Sequence, residues 1–564
     1  MIVVSIEGGD RRTSGSGVAR PRSDFGGMML QAPDWVSTGS NPIKGLDLLG
    51  LRLPVQNIGV QLLDGITSIT PTVRYLSFYT WIADRYRQSE LPDRWSDFRR
   101  FGTAQEAAIV MANLTVNRNL SGLIGSQEGN YRLDGNGNRL SLDPLVVQPA
   151  INTYANASAQ LNLTFESESS SGIPGLTKER GLLLANCFGD RIRKTDFVRR
   201  LAKKPAAKTV LRSELEELGP LVAVNELPSA ERDIITNALI PPEPLPKEIP
   251  RLASYALMLY SAKEESAAPT EDVIFSYAHL PTRQLPDIFR KTLDGWLQYL
   301  ARDLIAVTHE AVLAAVVSEA YQLSRTQKGP VKSDLVIRSL LENVALQNNA
   351  LRDLGLLTEK ETYVDLRFRG LVDRVNAACK IISSKNDDGL ARWKGPLSET
   401  SVYTSALNSG PAAVVLLPVA WCLAMRRAKS AISEGHPSAN FLSTRSWARF
   451  GFPDIIIPNF ERLRSENAPL PEVVAELITR TIDQHLRIAW ARARTDLRRD
   501  VALLVVEGDS WMSRGNYMAG RTLSRLPQAI GWLRQLGMID HDGLTASGKK
   551  ALTRAHRALE RGPQ

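Results

Sequence analysis

The sequence predicts a mainly α, multi-domain protein with a small β-hairpin region near residues 130–147 and a basic domain at its C-terminal end. Three observations carry that expectation. Long stretches repeat apolar residues at 3–4 spacing, most clearly KTLDGWLQYLARDLIAVTHEAVLAAVVSEAYQL over 291–323, the period of a helix with a buried stripe. The chain has 564 residues, 43% hydrophobic and 23% charged; this is ordinary globular composition, and one core stops growing near about 250–300 residues. PPEPLPKEIP at 241–250 places five prolines in ten residues, which fixes φ, removes donors and reads as a stiff connector. The expected division is a flexible tail over 1–28, an N-terminal helical domain with the hairpin over 29–240, the linker 241–250, a helical middle domain over 251–483 and a basic domain over 484–564.

Taken in order, residues 30–60 are punctuated by Gly and Pro and read as loops with short extended pieces. A helix is expected from Pro71, with Thr70 accepting a backbone hydrogen bond at its start. On that helix Tyr75, Phe78, Tyr79, Ile82 and Tyr86 form one apolar stripe. Arg74, Trp81 and Arg85 fall on the narrow remaining face, and Arg74 with Arg85 is a candidate anion site or a pair for Asp84 and neighbouring domains. NYRLDGNGNRLSL at 130–142 reads as a hairpin, because Asp-Gly and Asn-Gly tolerate positive φ. From Thr177 three helical runs follow, TKERGLLLANCFGDRIRK, SELEELGPLVAV and SAERDIITNALI. Beyond the prolines, 291–323 is one long helix or two, and Ser333 is a candidate N-cap. No charge occurs from Val402 to Met425, but its strongly apolar part, AAVVLLPVAWCLAM, is 14 residues long and contains Pro418. That length predicts a core helix rather than a membrane span.

The chemistry-bearing motifs are mostly missing. No P-loop, no GxGxxG opening a helix and no GxSxG elbow occurs, and six histidines at 279, 309, 436, 485, 541 and 556 form no HExxH. His309-Glu310 reads as helix surface. In GFPDIIIPNFERLR (451–464), Asp454 and Glu461 are the nameable candidates for a metal-dependent nuclease, but no Glu-x-Lys follows and a structural turn is the better reading. Cys187, Cys379 and Cys422 are far apart, neither a disulfide framework nor a zinc pattern, and with no secretory signal they point to the cytoplasm. No cofactor, metal, membrane or small-molecule substrate is implied.

The net charge of +9 is concentrated. Residues 484–564 carry fourteen Lys/Arg against seven Asp/Glu, and residues 190–212 carry nine against two, so the other 460 residues sum to −5. Two basic segments on a slightly acidic chain suggest polyanion-binding patches. In the first, Phe197 and Leu201 make an apolar stripe on a helix otherwise covered by Arg191, Arg193, Arg199, Arg200, Lys203 and Lys204. Such a helix suits a phosphate backbone or an acidic partner, or is simply solvated.

The second segment ends in QAIGWLRQLGMIDHDGLTASGKKALTRAHRAL (528–559). A helix stops at Gly537, a position suited to a left-handed cap. Met538-Ile539 is a short strand, Asp540–Gly543 a turn, and Leu544 returns. Thr545 caps a last amphipathic helix carrying Leu552 and Leu559. With RRDVALLVVE and NYMAGRTLSRL supplying helices ahead of it, this order resembles the winged helix-turn-helix family over roughly the last 60–80 residues. The resemblance implies a helix before the wing that lies in the DNA major groove. Ile530, Leu533 and Leu536 would be core, while Gln528, Gly531, Trp532, Arg534 and Gln535 would face the bases, and Arg521, Arg525, Lys549 and Lys550 the phosphates. The wing departs from this pattern, since Asp540 and Asp542 flank His541 and repel phosphate. Winged helices also serve as protein–protein modules. The leading expectation is therefore a non-enzymatic protein that binds nucleic acid, double-stranded DNA in the first place, with a helical body that docks partners. The alternatives are a structural or adaptor subunit whose winged helix docks protein, and a metal-dependent nuclease with an unrecognised site.

Overall fold

The computed structural model describes residues 47–562 except Ser68, Asn136 and the segments 167–171, 278–285, 380–395, 433–450 and 495–500. Residues 1–46, including the tail expected over 1–28, lie outside it. Helices dominate the described residues and the sheets are small, as the sequence predicts.

The chain opens with a helix where loops were expected. α1 (Arg52–Leu62) forms because the Asp47 carboxylate accepts the backbone N–H groups of Leu51, Arg52 and Leu53, at 2.9, 3.1 and 3.2 Å. Pro54 falls in its first turn, where a missing N–H leaves nothing unpaired. α2 (Tyr75–Arg87) starts four residues later than Pro71. Thr70 exchanges hydrogen bonds with Thr67 instead of capping, and tertiary hydrogen bonds described below hold residues 70–73 outside the helix. The predicted aromatic stripe is buried, but so are Ser77 and Trp81 on the opposite side. α2 is thus a central helix, with α3 (Trp95–Val116), α5 (Ala150–Gln160) and α6 (Gly181–Ile192) packed on it.

The expected hairpin at 130–142 does not form. Its first half belongs to α4 (Ser126–Asp134), and β1 (Arg139–Ser141) pairs antiparallel with β4 (Thr209–Leu211), about 70 residues away in sequence. Packing of α4 on α3 outweighs the Asp-Gly turn signal. A second pair, β2 (Thr164–Phe165) with β3 (Gly175–Leu176), is equally short. α7 (Asp196–Lys203), α8 (Arg212–Val222) and α9 (Ser229–Leu239) complete this part, close to the helical runs read from the sequence.

In the proline-rich stretch, a short 3-10 turn (Pro246–Glu248) leads directly into α10 (Ile249–Glu265). Glu248 is fully buried and accepts from Arg180 at 3.1 Å and Arg251 at 3.2 Å. One hydrophobic cluster runs from Leu48 to Ala558 without a break at these prolines. After α11 (Glu271–Ser276) comes α12 (Asp287–Gln327), a single helix of 41 residues and roughly 60 Å long. It is buried almost all round between Phe289 and Val317 and touches α1, α10 and elements from both later parts of the chain. A helix enclosed on every side belongs in the middle of a core.

β5 (Val331–Lys332) leads into α13 (Ser333–Glu342), where Ser333 is the first helical residue and donates its N–H to Asp509 rather than capping. α14 (Val344–Asp353), α15 (Phe368–Ala378), α16 (Glu399–Asn408) and α17 (Ala413–Ile432) follow. α17 packs along α12 as a core helix, and among the described residues no helix is long and apolar enough to cross a membrane. A π-helical turn (Phe452–Ile456) precedes α18 (Ile457–Glu466), then α19 (Leu470–Ala493). β6 (Leu504–Glu507) and β7 (Ser510–Ser513) form a hairpin that β5 extends to three strands in the order β5-β7-β6. α20 (Leu526–Gln535), β8 (Ile539–Asp540), β9 (Gly543–Leu544) and α21 (Ala546–Arg561) end the chain.

Candidate nucleic-acid interface

The helix–hairpin–helix order at the C-terminal end is present. α20 closes with Gly537 at φ 69°, and Met538 and Gly537 donate to the Leu533 and Arg534 carbonyls, a Schellman arrangement. β8 and β9 pair antiparallel, and the Thr545 hydroxyl accepts from Gly548 N–H at 3.0 Å to start α21. The helices expected ahead of α20 are not found among the described residues, and 498–500 of the first lie outside them. Residues 504–513 are the β6–β7 hairpin, because Val505, Val506 and their neighbours favour a strand and Gly508 turns it. Residues 514–525 form no helix, and buried carboxylates on α12 hold them. Asp303 accepts from Thr522 N–H at 3.0 Å, and Glu310 accepts from Gly520 N–H at 3.4 Å.

Several sequence-predicted contact residues lie inside. Trp532 is fully buried and donates its Nε1–H to the Thr70 carbonyl at 2.8 Å. Gln535 uses both ends of its amide, accepting from Val73 N–H and donating to the Pro71 carbonyl, each at 2.8 Å. These bonds keep residues 70–73 out of α2 and dock the expected reading helix on the N-terminal part of the protein. Neither side chain can reach a base in this arrangement. Arg521 pairs with Glu271 at 2.9 Å and Asp303 at 3.5 Å, and stacks its guanidinium 4.1 Å above the Tyr403 ring. Arg525 lies half-buried and donates to the Leu63 carbonyl at 3.0 Å. Gln528 is half-buried, Gly531 faces open space, and Arg534 is exposed. Ile530, Leu533 and Leu536 are core residues as expected.

α21 behaves differently. It carries five Lys/Arg against one carboxylate, Glu560, and packs its alanine face, Ala551, Ala555 and Ala558, on α10. Lys549, Lys550, Arg557 and Arg561 are exposed and form no ion pair among the described residues. Arg554 instead ties α21 to α9 through Asn237 at 2.6 Å. Gly543, at φ 101°, has no room for a Cβ: one would lie 2.6 Å from the Ala262 carbonyl oxygen. That contact seats the hairpin against the end of α10 and leaves Asp540, His541 and Asp542 in solvent.

Beside α21, a cleft of about 540 Å³ opens between α10 and the start of α12. Tyr260 and Phe289 pack their rings at 5.1 Å there, His556 stands edge-on to Phe289 at 6.3 Å, and Lys263 lies 5.9 Å from the Tyr260 ring. Lys549 and Arg557 complete the basic rim, and Glu560, bound by His556 at 3.2 Å, is the acid in it. Of these residues only Lys549 is among the contacts the sequence predicts. Arg557 was legible, since it stands two helical turns beyond Lys549 on the same face. Tyr260 and Phe289 were not, because only the fold brings α10 and α12 to α21.

The first basic segment is divided. Phe197 and Leu201 are buried as predicted. Arg200 makes a two-pronged ion pair with Glu214, at 2.6 and 2.8 Å, and Arg193 and Arg199 make exposed pairs with Asp190 and Asp196. Arg191, Lys203 and Lys204 are exposed. Lys203 shares a shallow cleft with Arg85, which donates to Gln88 at 3.2 Å. Arg74 is not part of any such site. It is fully buried, its anion is Glu231 at 3.2 Å, and it also donates to the Leu221 and Ala223 carbonyls. The pair expected between Arg74 and Arg85 is therefore one structural arginine and one surface arginine.

His309 and Glu310 are core, not surface. Trp421 Nε1–H donates to His309 Nε2 at 3.1 Å, so the ring's proton sits on Nδ1 and is shared with the Thr481 hydroxyl at 2.7 Å. Burial lowers its pKa to about 3 and keeps it neutral. Asp454 sits in the π-helical turn and Glu461 on α18, where it pairs with Arg464 at 3.2 Å. They do not form a common metal-ligand cluster; among the described residues the grouping with suitable geometry is the exposed Asp540, His541 and Asp542. No family model, curated protein or solved structure matches the chain.

Proposed function

We propose that the protein binds nucleic acid through phosphate contacts along α21, with α20 acting as an anchor to the rest of the protein instead of a reading helix. One observation carries this reading: Lys549 and Arg557, exposed and without an ion pair among the described residues, rim a cleft that offers the half-buried Tyr260 and His556 rings, and Lys550 is exposed next to Lys549. Exposed cations release counterions when they neutralise phosphates, and the half-buried Tyr260 ring beside them suits an unpaired nucleotide. DNA with a single-stranded stretch is the preferred ligand. The test is binding of labelled duplex and single-stranded DNA across a salt series, with the full chain and its Lys549→Gln/Lys550→Gln/Arg557→Gln variant. The variant should lose affinity and about two to three units of log–log salt slope. A variant that matches the parent in both would sink the proposal.

A second reading, an adaptor subunit, is favoured by α20, which already turns its polar face to protein. A stoichiometric partner retained from native cells, with no DNA affinity in the same preparation, would support it.

A further inference from the structure

A third cleft, sharing no lining residue with the one beside α21, lies where α1 meets the non-helical segment 514–525. It encloses about 440 Å³ and is lined by Arg52, Arg521 and Arg525, with Asn57, Thr67 and Tyr299 among the other contributors. Its lining holds three cations and no carboxylate. The acids that pair two of the arginines stand behind them. Glu310 receives Arg52 through both of its oxygens, and Glu271 and Asp303 receive Arg521. These carboxylates fix the direction of the guanidiniums without occupying the cleft, so the donors are pre-oriented.

Arg525 is the informative member. It forms one hydrogen bond, to the Leu63 carbonyl, and no ion pair among the described residues. Asp64 is the acid that influences it from a distance, and that carboxylate already accepts from Gly65 N–H at 2.8 Å. A half-buried guanidinium without a carboxylate is an uncompensated charge, which proteins tolerate where a ligand supplies the anion. Two buried polar atoms in the same wall, Arg521 Nη2 and Thr522 Oγ1, also have no hydrogen-bond partner among the described residues.

We infer that this cleft binds a small phosphorylated ligand, a free phosphate ester or diphosphate. Its volume is in the range of small-molecule sites. Three planar guanidiniums, each offering several donors, match the many oxygens of a tetrahedral phosphate, and a half-open cleft of this limited volume beside α1 suits a free molecule better than a polymer backbone. The ligand would clamp α1 to the segment 514–525 and so tie the C-terminal elements to the start of the chain.

The probe is inorganic pyrophosphate, titrated into the full chain by calorimetry and followed by thermal melting. Saturable binding with a raised melting temperature is expected. Arg525→Met should weaken it at least about tenfold. Gln56→Glu, an exposed residue of the cleft on α1, puts a carboxylate among the arginines; it should weaken pyrophosphate similarly without lowering the ligand-free melting temperature. That second variant decides the matter if Arg525→Met does not fold. The triple variant on α21 should bind pyrophosphate like the parent, which separates this inference from the nucleic-acid proposal. Absence of pyrophosphate binding by the parent, or parental binding by Gln56→Glu, would overturn it. Competitive displacement of pyrophosphate by a single-stranded oligonucleotide would also overturn it, in favour of a nucleic-acid backbone as the source of the phosphate.

Discussion

Helices α20 and α21 are separated only by a short hairpin, yet they hold their polar residues in opposite ways. α20 turns Trp532 and Gln535 into the protein, where each hydrogen bond ends on a backbone group of residues 70–73. α21 buries small alanines and turns Lys549, Lys550 and Arg557 to solvent. The same contrast separates Arg52, Arg74 and Arg521, each met by a carboxylate that is itself largely buried, from Arg193 and Arg199, whose pairs lie in water. What distinguishes a structural cation from an available one is thus the partner that the fold brings to it, not the charge density of the surrounding sequence.

The contrast should appear first in stability. Arg52→Met and Arg74→Ala each strand a buried carboxylate, Glu310 or Glu231, and are expected to lower unfolding free energy by about 3–5 kcal/mol in urea titrations. Trp532→Ala should lose a similar amount, about 3–5 kcal/mol, because it leaves a cavity and an unpaired Thr70 carbonyl. If Arg74→Ala were neutral, the division between buried and surface arginines would be wrong at its clearest point.

A smaller, pH-dependent effect sharpens the same comparison. Burial raises the Asp303 carboxyl to about 7 from an ordinary value of 3.8. Between those values the folded state binds more protons than the unfolded chain, so this group's contribution to stability falls as pH rises from about 4 to about 7. Glu106, which accepts from the N–H groups of Ala150 and Ile151, acts in the same direction, raised by burial from 4.5 to about 7. Asp303→Asn should flatten the stability profile across that window. An unchanged profile, measured by chemical unfolding at several pH values, would show that Arg521 keeps Asp303 ionised.

The smallest effects belong to the surface. Arg85→Ala and Arg199→Ala should stay within about 0.5 kcal/mol of the parent, since exposed ion pairs contribute little. The triple variant on α21 should be equally neutral in stability, so that any loss of DNA binding reports contacts and not unfolding.

Much of this architecture was legible along the chain. Periodicity gave α12 over 291–323, the runs that became α6, α8 and α9, and the aromatic stripe of α2. Local chemistry gave the helix, the Gly537 cap, the hairpin and the Thr545 cap at the C-terminal end. Local chemistry failed where a distant partner outweighed it. The Asp-Gly signal at 134–135 lost to packing of α4 on α3, Pro71 lost to hydrogen bonds from α20, and a carboxylate five residues upstream made α1 out of an apparent loop.

Of the candidate contact residues, the sequence by itself determined which positions carry charge, because composition is local. It also determined that Ile530, Leu533 and Leu536 face a core, because helical period alone sets that. Only the tertiary structure decided that Trp532, Gln535, Arg74 and Arg521 are engaged inside while Lys549, Lys550 and Arg557 are exposed without an ion pair among the described residues, Lys549 and Arg557 beside Tyr260 and Phe289. The physical reason is that the fate of a charge depends on desolvation and on the nearest opposite charge. Both are set by residues such as Glu231, Asp303 and Glu310, which lie hundreds of positions from some of the cations they hold.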